Sequence, residues 1–217
     1  MERAYHDEGI AMITHTGILH RTLFPSLVWC MPGEKIYLTF DDGPHSTATE
    51  SVLETLKRHR VPATFFLSGA NIPGREAIVR KIEADGHSIG IHAFNHSRIS
   101  ALSVQKTTEE IKNTEALLMP IVAQRLRLFR PPFGFFSHNT IRAAKERGYL
   151  MVMWSCLPGD FSSASVETVV QRSLERLHKG AILVFHDNDL TAGKIAGILD
   201  AVIPKIKERG FRFGAIR

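Results

Sequence analysis

The stretch YLTFDDGPHS sets two adjacent carboxylates, Asp41 and Asp42, after an apolar β-type run and before a Gly-Pro turn. Neighbouring side chains at a strand end point to opposite sides, so the two acids can face two different partners. His92 and His96 stand four apart in HAFNH. On a helical turn that spacing puts both rings on one face at metal-ligand distance. Two imidazoles and one carboxylate are a donor set for a divalent cation that leaves positions open for water and substrate. Each pair also has a plainer reading: a helix N-cap and a turn residue for the acids, surface or capping histidines for the rings. Further reactive side chains follow: Arg130, ahead of two prolines that stiffen its loop, then Trp154, Asp160, and His186 with Asp187.

From Lys35 onward, short β-type runs alternate with amphipathic helical ones. KIYLTF, ATFFLSG, SIGIHA, LRLFR, LMVMWS and AILVFH each precede a helical pattern, and FRFGAI closes the chain. In the first helical run Val52, Leu53, Leu56 and Lys57 follow the 3.6-residue period. Gly86, Gly148, Gly180 and Gly210 fall just past helical stretches, where left-handed caps are wanted. A strict β-then-α order with strands apolar on both faces argues a parallel α/β sheet of about seven strands, either open and doubly wound or an incomplete barrel. Residues 1–34 read as an irregular or helical lead-in that covers one end of the sheet, and 35–217 as the one functional domain. In this scheme every reactive residue sits at the carboxyl end of a strand, the edge where parallel α/β proteins build their sites.

The 217 residues, 44% of them hydrophobic, suffice for one substantial core. The formal charge of +5 is spread through helical segments such as ETLKRHR and does not form the concentrated stripe of a nucleic-acid reader. Cys30 and Cys156 lack metal-type or paired spacing and read as buried small apolar residues. No run reaches membrane-spanning length, and MERAYHDEGIAMITHTG is too charged for a secretory leader, which gives the expectation of a cytoplasmic protein acting on a soluble or precursor saccharide.

TFDDGP, HAFNH, RPPFG, WSCLPGDF and ILVFHD, in that order, resemble the five motifs of the polysaccharide deacetylase family, carbohydrate esterase family four. The likeness spans roughly residues 35–215. It implies a distorted, incomplete (β/α) barrel and a metal-dependent hydrolase that removes N-acetyl groups from an N-acetylglucosamine-containing saccharide. By the resemblance Asp42, His92 and His96 would hold a divalent cation, zinc above all. Asp41 would be the general base, His186 the general acid suited to near-neutral pH, and the backbone N–H of Phe133 an oxyanion donor. Arg130 would orient the base and be anchored by Asp160, while Trp154 and Val184 would wall an acetyl pocket; ordinary core is the plainer reading for those last two.

The chain departs from the family pattern at several positions. Ala93 lacks the hydroxyl that braces the second motif, and Leu157 replaces the first of two acids in the fourth, so Asp160 is expected to contact Arg130 and Leu157 to face apolar neighbours. Ser88, Ile91 and Phe133 stand where Glu, Asn and Tyr are frequent. Few Trp and Tyr residues, two and three, leave room for an amidase or O-acetyl esterase acting on a non-polymeric substrate. A catalytically retired saccharide-binding protein is the third reading, against which the joint retention of Asp41, Asp42, His92, His96 and His186 argues. Oligomeric state has no signature in the sequence.

Overall fold

The computed structural model describes residues 18–217; the first 17 residues of the expected lead-in lie outside the described residues. β1 (Lys35–Asp41) is buried from Ile36 to its end, and β2 (Thr64–Leu67), β3 (Ser88–Ile91) and β6 (Ile182–His186) are buried throughout. Strands apolar on both faces need cover on both, which parallel crossovers provide. β4 (Leu128–Phe129), β5 (Leu150–Met151) and β7 (Arg212–Phe213) are short. The order is β5-β4-β3-β2-β1-β6, all pairs parallel, with β7 beside the start of β1.

A short helix, α1 (Ile18–Leu23), precedes the sheet. The crossover helices are α2 (Ala48–His59), α3 (Glu76–Ala84), α4 (Val104–Leu118), α5 (His138–Glu146), α6 (Val166–Glu175) and α7 (Ile195–Glu208). The expected spacing is seen in α2, where Val52, Leu53 and Leu56 are buried. Ser103, Ser137 and Ser165 cap α4, α5 and α6 through their hydroxyls, satisfying first-turn N–H groups that would otherwise lack partners. In the core, the rings of Phe65 and Phe185 stack on Phe40 at 5.0 and 6.1 Å. Each such ring contributes roughly 1.5–3 kcal/mol by leaving water. This packing holds β2, β1 and β6 rigid beneath their carboxyl ends.

The sheet curls into an incomplete barrel, as the family resemblance implies. Two segments span the gap between β5 and β6. Val28 pairs with Val152, and Met31 N–H donates to Gly180 O at 2.9 Å; farther along, Cys156 pairs with Leu183. The lead-in was expected to cover an end of the sheet, yet residues 28–31 run along its open side. Gly180 permits the closure: its φ is +80°, and a Cβ there would sit 2.0 Å from Met31 O. Cys156 is buried while Cys30 is only partly so, and both are free. Among the described residues, no helix is long and apolar enough to cross a membrane.

Candidate active site

β1 carries Asp41 to the rim, opposite Phe66 of β2 and His186 of β6. Asp42 then adopts a left-handed conformation, φ 84°. The two acids therefore diverge because the chain turns between them; simple strand alternation is not the cause. A Cβ on Gly43 would meet the Asp187 carboxylate at 2.2 Å, so this turn needs glycine. Asp42 Oδ1 lies 2.8 Å from His96 Nε2 and 3.5 Å from His92 Nε2. Its Oδ2 accepts from Asn188 Nδ2 at 2.6 Å, and its backbone oxygen from Asn71 Nδ2 at 2.7 Å.

His92 and His96 do converge on Asp42, but not from a helical turn. Residues 92–96 form a loop with left-handed Ala93 and His96, φ 59° and 49°. One ligand atom from each of Asp42, His92 and His96 can lie within 4.8 Å of the others. Their chemistry fits a cation. His92 Nδ1 is 2.8 Å from the Arg130 carbonyl, which only accepts, so Nδ1 carries the hydrogen and Nε2 presents a lone pair toward Asp42. Burial, against the pull of Asp41, pushes the His92 ring down to about 4, so it stays neutral at pH 7. Burial also opposes ionisation of Asp42, but the His96, His186 and His92 rings hold its carboxyl far below the usual carboxylate range. A bare lone pair facing a carboxylate is repulsive unless a positive charge lies between them.

Arg130 is fully buried. Its Nη1 donates to Asp41 Oδ1 at 2.7 Å and Thr39 Oγ1 at 2.8 Å, Nε to Val152 O at 3.0 Å, and Nη2 to Met153 O at 3.0 Å. The expected Asp160 anchor is absent from this set. Asp160 instead accepts from His186, at 2.9 Å from ring Nδ1 and 2.7 Å from the backbone N–H. The physical reason is placement: the loop after β5 carries Asp160 to the end of β6, beside His186, while Asp41, Thr39 and two backbone carbonyls already take the Arg130 guanidinium. The charge on His186 departs from expectation for the same reason. Burial works against a charged His186, but the Asp160 carboxylate, helped by Asp42 and Asp41, raises the ring to about 9 instead of leaving it near neutrality.

Asp41, His92, His96, Phe133, Gly134, Trp154, Leu157, Val184 and His186 enclose a cavity of ≈ 20 Å³, enough for one small group. Leu157 is buried in this wall, as the apolar expectation for it requires. Phe133 is left-handed, φ 58°, a strained setting for a residue with a Cβ. Gly134 follows with φ +70°, and a Cβ on it would strike the Trp154 ring at 2.1 Å. A wider groove of ≈ 520 Å³ opens beside the cavity, lined by residues that include Asn71, Arg75, Asn95, His96 and Asn188.

Residues 30–152, more than half of the chain, match the family model described as polysaccharide deacetylase. The chain belongs to that family. It is 32% identical over 202 residues to a peptidoglycan-N-acetylglucosamine deacetylase of Bacillus cereus, covering 90% of this chain and 94% of that protein. It is also 32% identical over 187 residues to a chitooligosaccharide deacetylase of Sinorhizobium fredii, covering 81% and 87%. A solved peptidoglycan N-acetylglucosamine deacetylase, in complex with 4-naphthalen-1-yl-N-oxidanyl-benzamide, superposes with a TM-score of 0.84 at 30% identity, covering 88% of this chain and 91% of that one.

In this member of the family, all ten residues singled out from the sequence lie at one end of the barrel or directly support groups there. Asn71, Asn188 and Leu157 join them without having been expected at the site. The signal for Asn188 was its place two residues beyond His186, at a strand's carboxyl end. Asn71 gave none, because its contact with Asp42 depends on the fold bringing two loops together.

Proposed function

We propose that this protein is a divalent-metal-dependent deacetylase that hydrolyses the N-acetyl group of an N-acetylglucosamine-containing saccharide. The observation that carries the reading is the separation of charges around one methyl-sized cavity: Asp41 on Arg130, His186 on Asp160, and Asp42 with His92 and His96. Asp42, His92 and His96 would hold the cation, zinc being the best match to a two-nitrogen, one-oxygen set; when bound it supplies Lewis-acid polarisation of the acetamide carbonyl.

Asp41, oriented by Arg130, accepts a proton from the attacking water. The Phe133 backbone N–H donates to the oxygen on which negative charge develops. His186, protonated against Asp160, delivers its proton to the departing amine nitrogen. Trp154, Leu157 and Val184 surround the acetyl methyl, and the groove beside them receives the sugar.

One observation favours a second reading, an O-acetyl esterase or small-amide hydrolase with the same machinery. Among the described residues, no Trp, Tyr or Phe lines the groove, so they offer a long sugar chain no aromatic stacking there. A retired binding protein is disfavoured because the complete acid-base and ligand set converges. The deciding experiment measures acetate and free amine released from a panel of N-acetylated glucosamine oligomers, peptidoglycan fragments and O-acetylated sugars. Chelated and zinc-restored protein are compared. Zinc-dependent amine release from the oligomers supports the proposal; zinc-dependent acetate from O-acetyl sugars alone supports the second reading.

A further inference from the structure

The loop that joins His92 to His96 is held almost entirely from outside itself. Ala93 and His96 are both left-handed, which residues bearing a Cβ rarely adopt without support. Ala93 cannot supply a hydroxyl to brace the turn. The brace comes from α4. Oε2 of Glu110 accepts two successive backbone N–H groups, Phe94 at 2.8 Å and Asn95 at 2.9 Å, while Oε1 accepts from Asn95 Nδ2 at 3.1 Å. One helical turn on, Thr114 Oγ1 donates to Ala93 O at 2.8 Å. On the other side, Gly69 and Ala70 N–H donate to the carbonyls of Ala93 and Phe94 at 3.0 and 2.9 Å.

The two histidines are not equally secured. His92 is buried at the end of β3, its N–H on Leu67 O at 2.8 Å and its ring on Arg130 O. His96 has 26% of its side chain exposed and follows the loop directly; its ring packs against Phe133 at 4.6 Å between centroids. Its aim at Asp42 therefore depends on the backbone of residues 93–95.

We propose that Glu110 is a positioning residue for the cation site: by gathering the Phe94 and Asn95 N–H groups it fixes the turn that aims His96, replacing the hydroxyl brace that Ala93 lacks. The role rests on the metal site proposed above. Glu110 acts through hydrogen-bond geometry, since its carboxylate is engaged with the loop backbone and Asn95. Outer partners that orient metal ligands commonly contribute 10- to 100-fold in affinity.

The test is the zinc dissociation constant, read by competition with a chromophoric chelator, for the wild type, Glu110→Ala, Glu110→Gln and the neighbouring Glu109→Ala. The expected result is a constant weakened about 10- to 100-fold in Glu110→Ala and restored to within about threefold of wild type in Glu110→Gln, whose amide oxygen can still accept both N–H groups. Glu109→Ala should match the wild type. Hydrogen exchange at the Phe94 and Asn95 amides should quicken in Glu110→Ala alone. Should Glu110→Ala fail to fold, Glu110→Asp gives the same reading: the charge is kept, the arm is one methylene shorter, and affinity should fall at least about tenfold. Unchanged zinc affinity in the alanine variant, or in the aspartate variant where that one replaces it, overturns the role, as does a glutamine variant as weak as alanine, which would assign the effect to charge. A wild type that binds zinc while the alanine variant binds equally well overturns only this inference; a wild type that binds no cation overturns the metal site with it.

Discussion

Replacing Asp160 by Asn removes the charge that holds the proton on His186 while keeping a side chain of the same size. With Asp160 in place His186 is raised to about 9, so about 0.9 of the molecules carry a proton on this ring, the proposed general acid, at pH 8. Burial then opposes the charge with only Asp42 and Asp41 left to offset it, and the ring should fall back toward its ordinary 6.5. At 6.5 only about 0.03 remain protonated at pH 8, which predicts a rate loss of about 30-fold there. At pH 6 the protonated fractions are about 1 and about 0.8, a loss below about twofold. The assay is an NMR titration of the His186 ring in metal-free wild type and Asp160→Asn, paired with the pH–rate profile of amine release by the two zinc-loaded proteins. The alkaline limb should move down by about two pH units or more. An equal loss at pH 6 and pH 8, with the limb in place, would show that Asp160 does not govern this proton.

The same pair links pH to stability. Because the folded-state value of His186 is raised, its stabilisation is complete below about 6.5 and is lost as pH rises through about 9; the Tm advantage of wild type over Asp160→Asn should shrink across that window in thermal melts. Arg130→Met leaves Asp41 buried without its cation, which should cost about 3–5 kcal/mol and lower Tm by roughly 10 °C in a calorimetric scan. Leu157→Ala should enlarge the cavity proposed to take the acetyl methyl, raising the ratio of N-propionyl to N-acetyl hydrolysis about tenfold or more in parallel assays, with a stability loss of about 2–5 kcal/mol. Gly134→Ala should abolish turnover, since its Cβ would collide with Trp154; near-normal rates would show that the ring can move aside.

The long buried strands were legible because β1, β2, β3 and β6 are apolar on both faces and each is followed by a helix-period run. Gly86, Gly148 and Gly210 take positive φ directly after helix C-caps, as expected, whereas Gly180 takes it in the turn before β6, because its helix already ends at Glu175. What stayed hidden were partnerships between distant segments. Val28 follows a Pro-interrupted stretch, and nothing local shows that it pairs with Val152. Two buried cations and two buried acids can be matched in more than one way. Asp160 went to His186, not Arg130, because of where the loop after β5 crosses the end of β6. The four-residue spacing of His92 and His96 located both rings but misread the backbone between them. The turn between its two left-handed residues is held from another element, by Glu110 on the Phe94 and Asn95 N–H groups and by Thr114 on Ala93 O.

The division of labour between the two adjacent acids is tested most directly by zinc content and deacetylation rate, measured together for Asp41→Asn and Asp42→Asn on one N-acetylglucosamine oligomer, below the melting temperature of either variant. Asp41→Asn should keep its zinc and lose about 10²- to 10⁴-fold in rate, as expected when a general base is removed. Asp42→Asn should lose zinc first and recover part of its activity in excess metal, since a neutral amide replaces a charged ligand. Equal zinc loss in both variants, or an Asp41→Asn enzyme that works at near wild-type rate, would contradict the assignment of Asp41 to proton transfer and Asp42 to the cation.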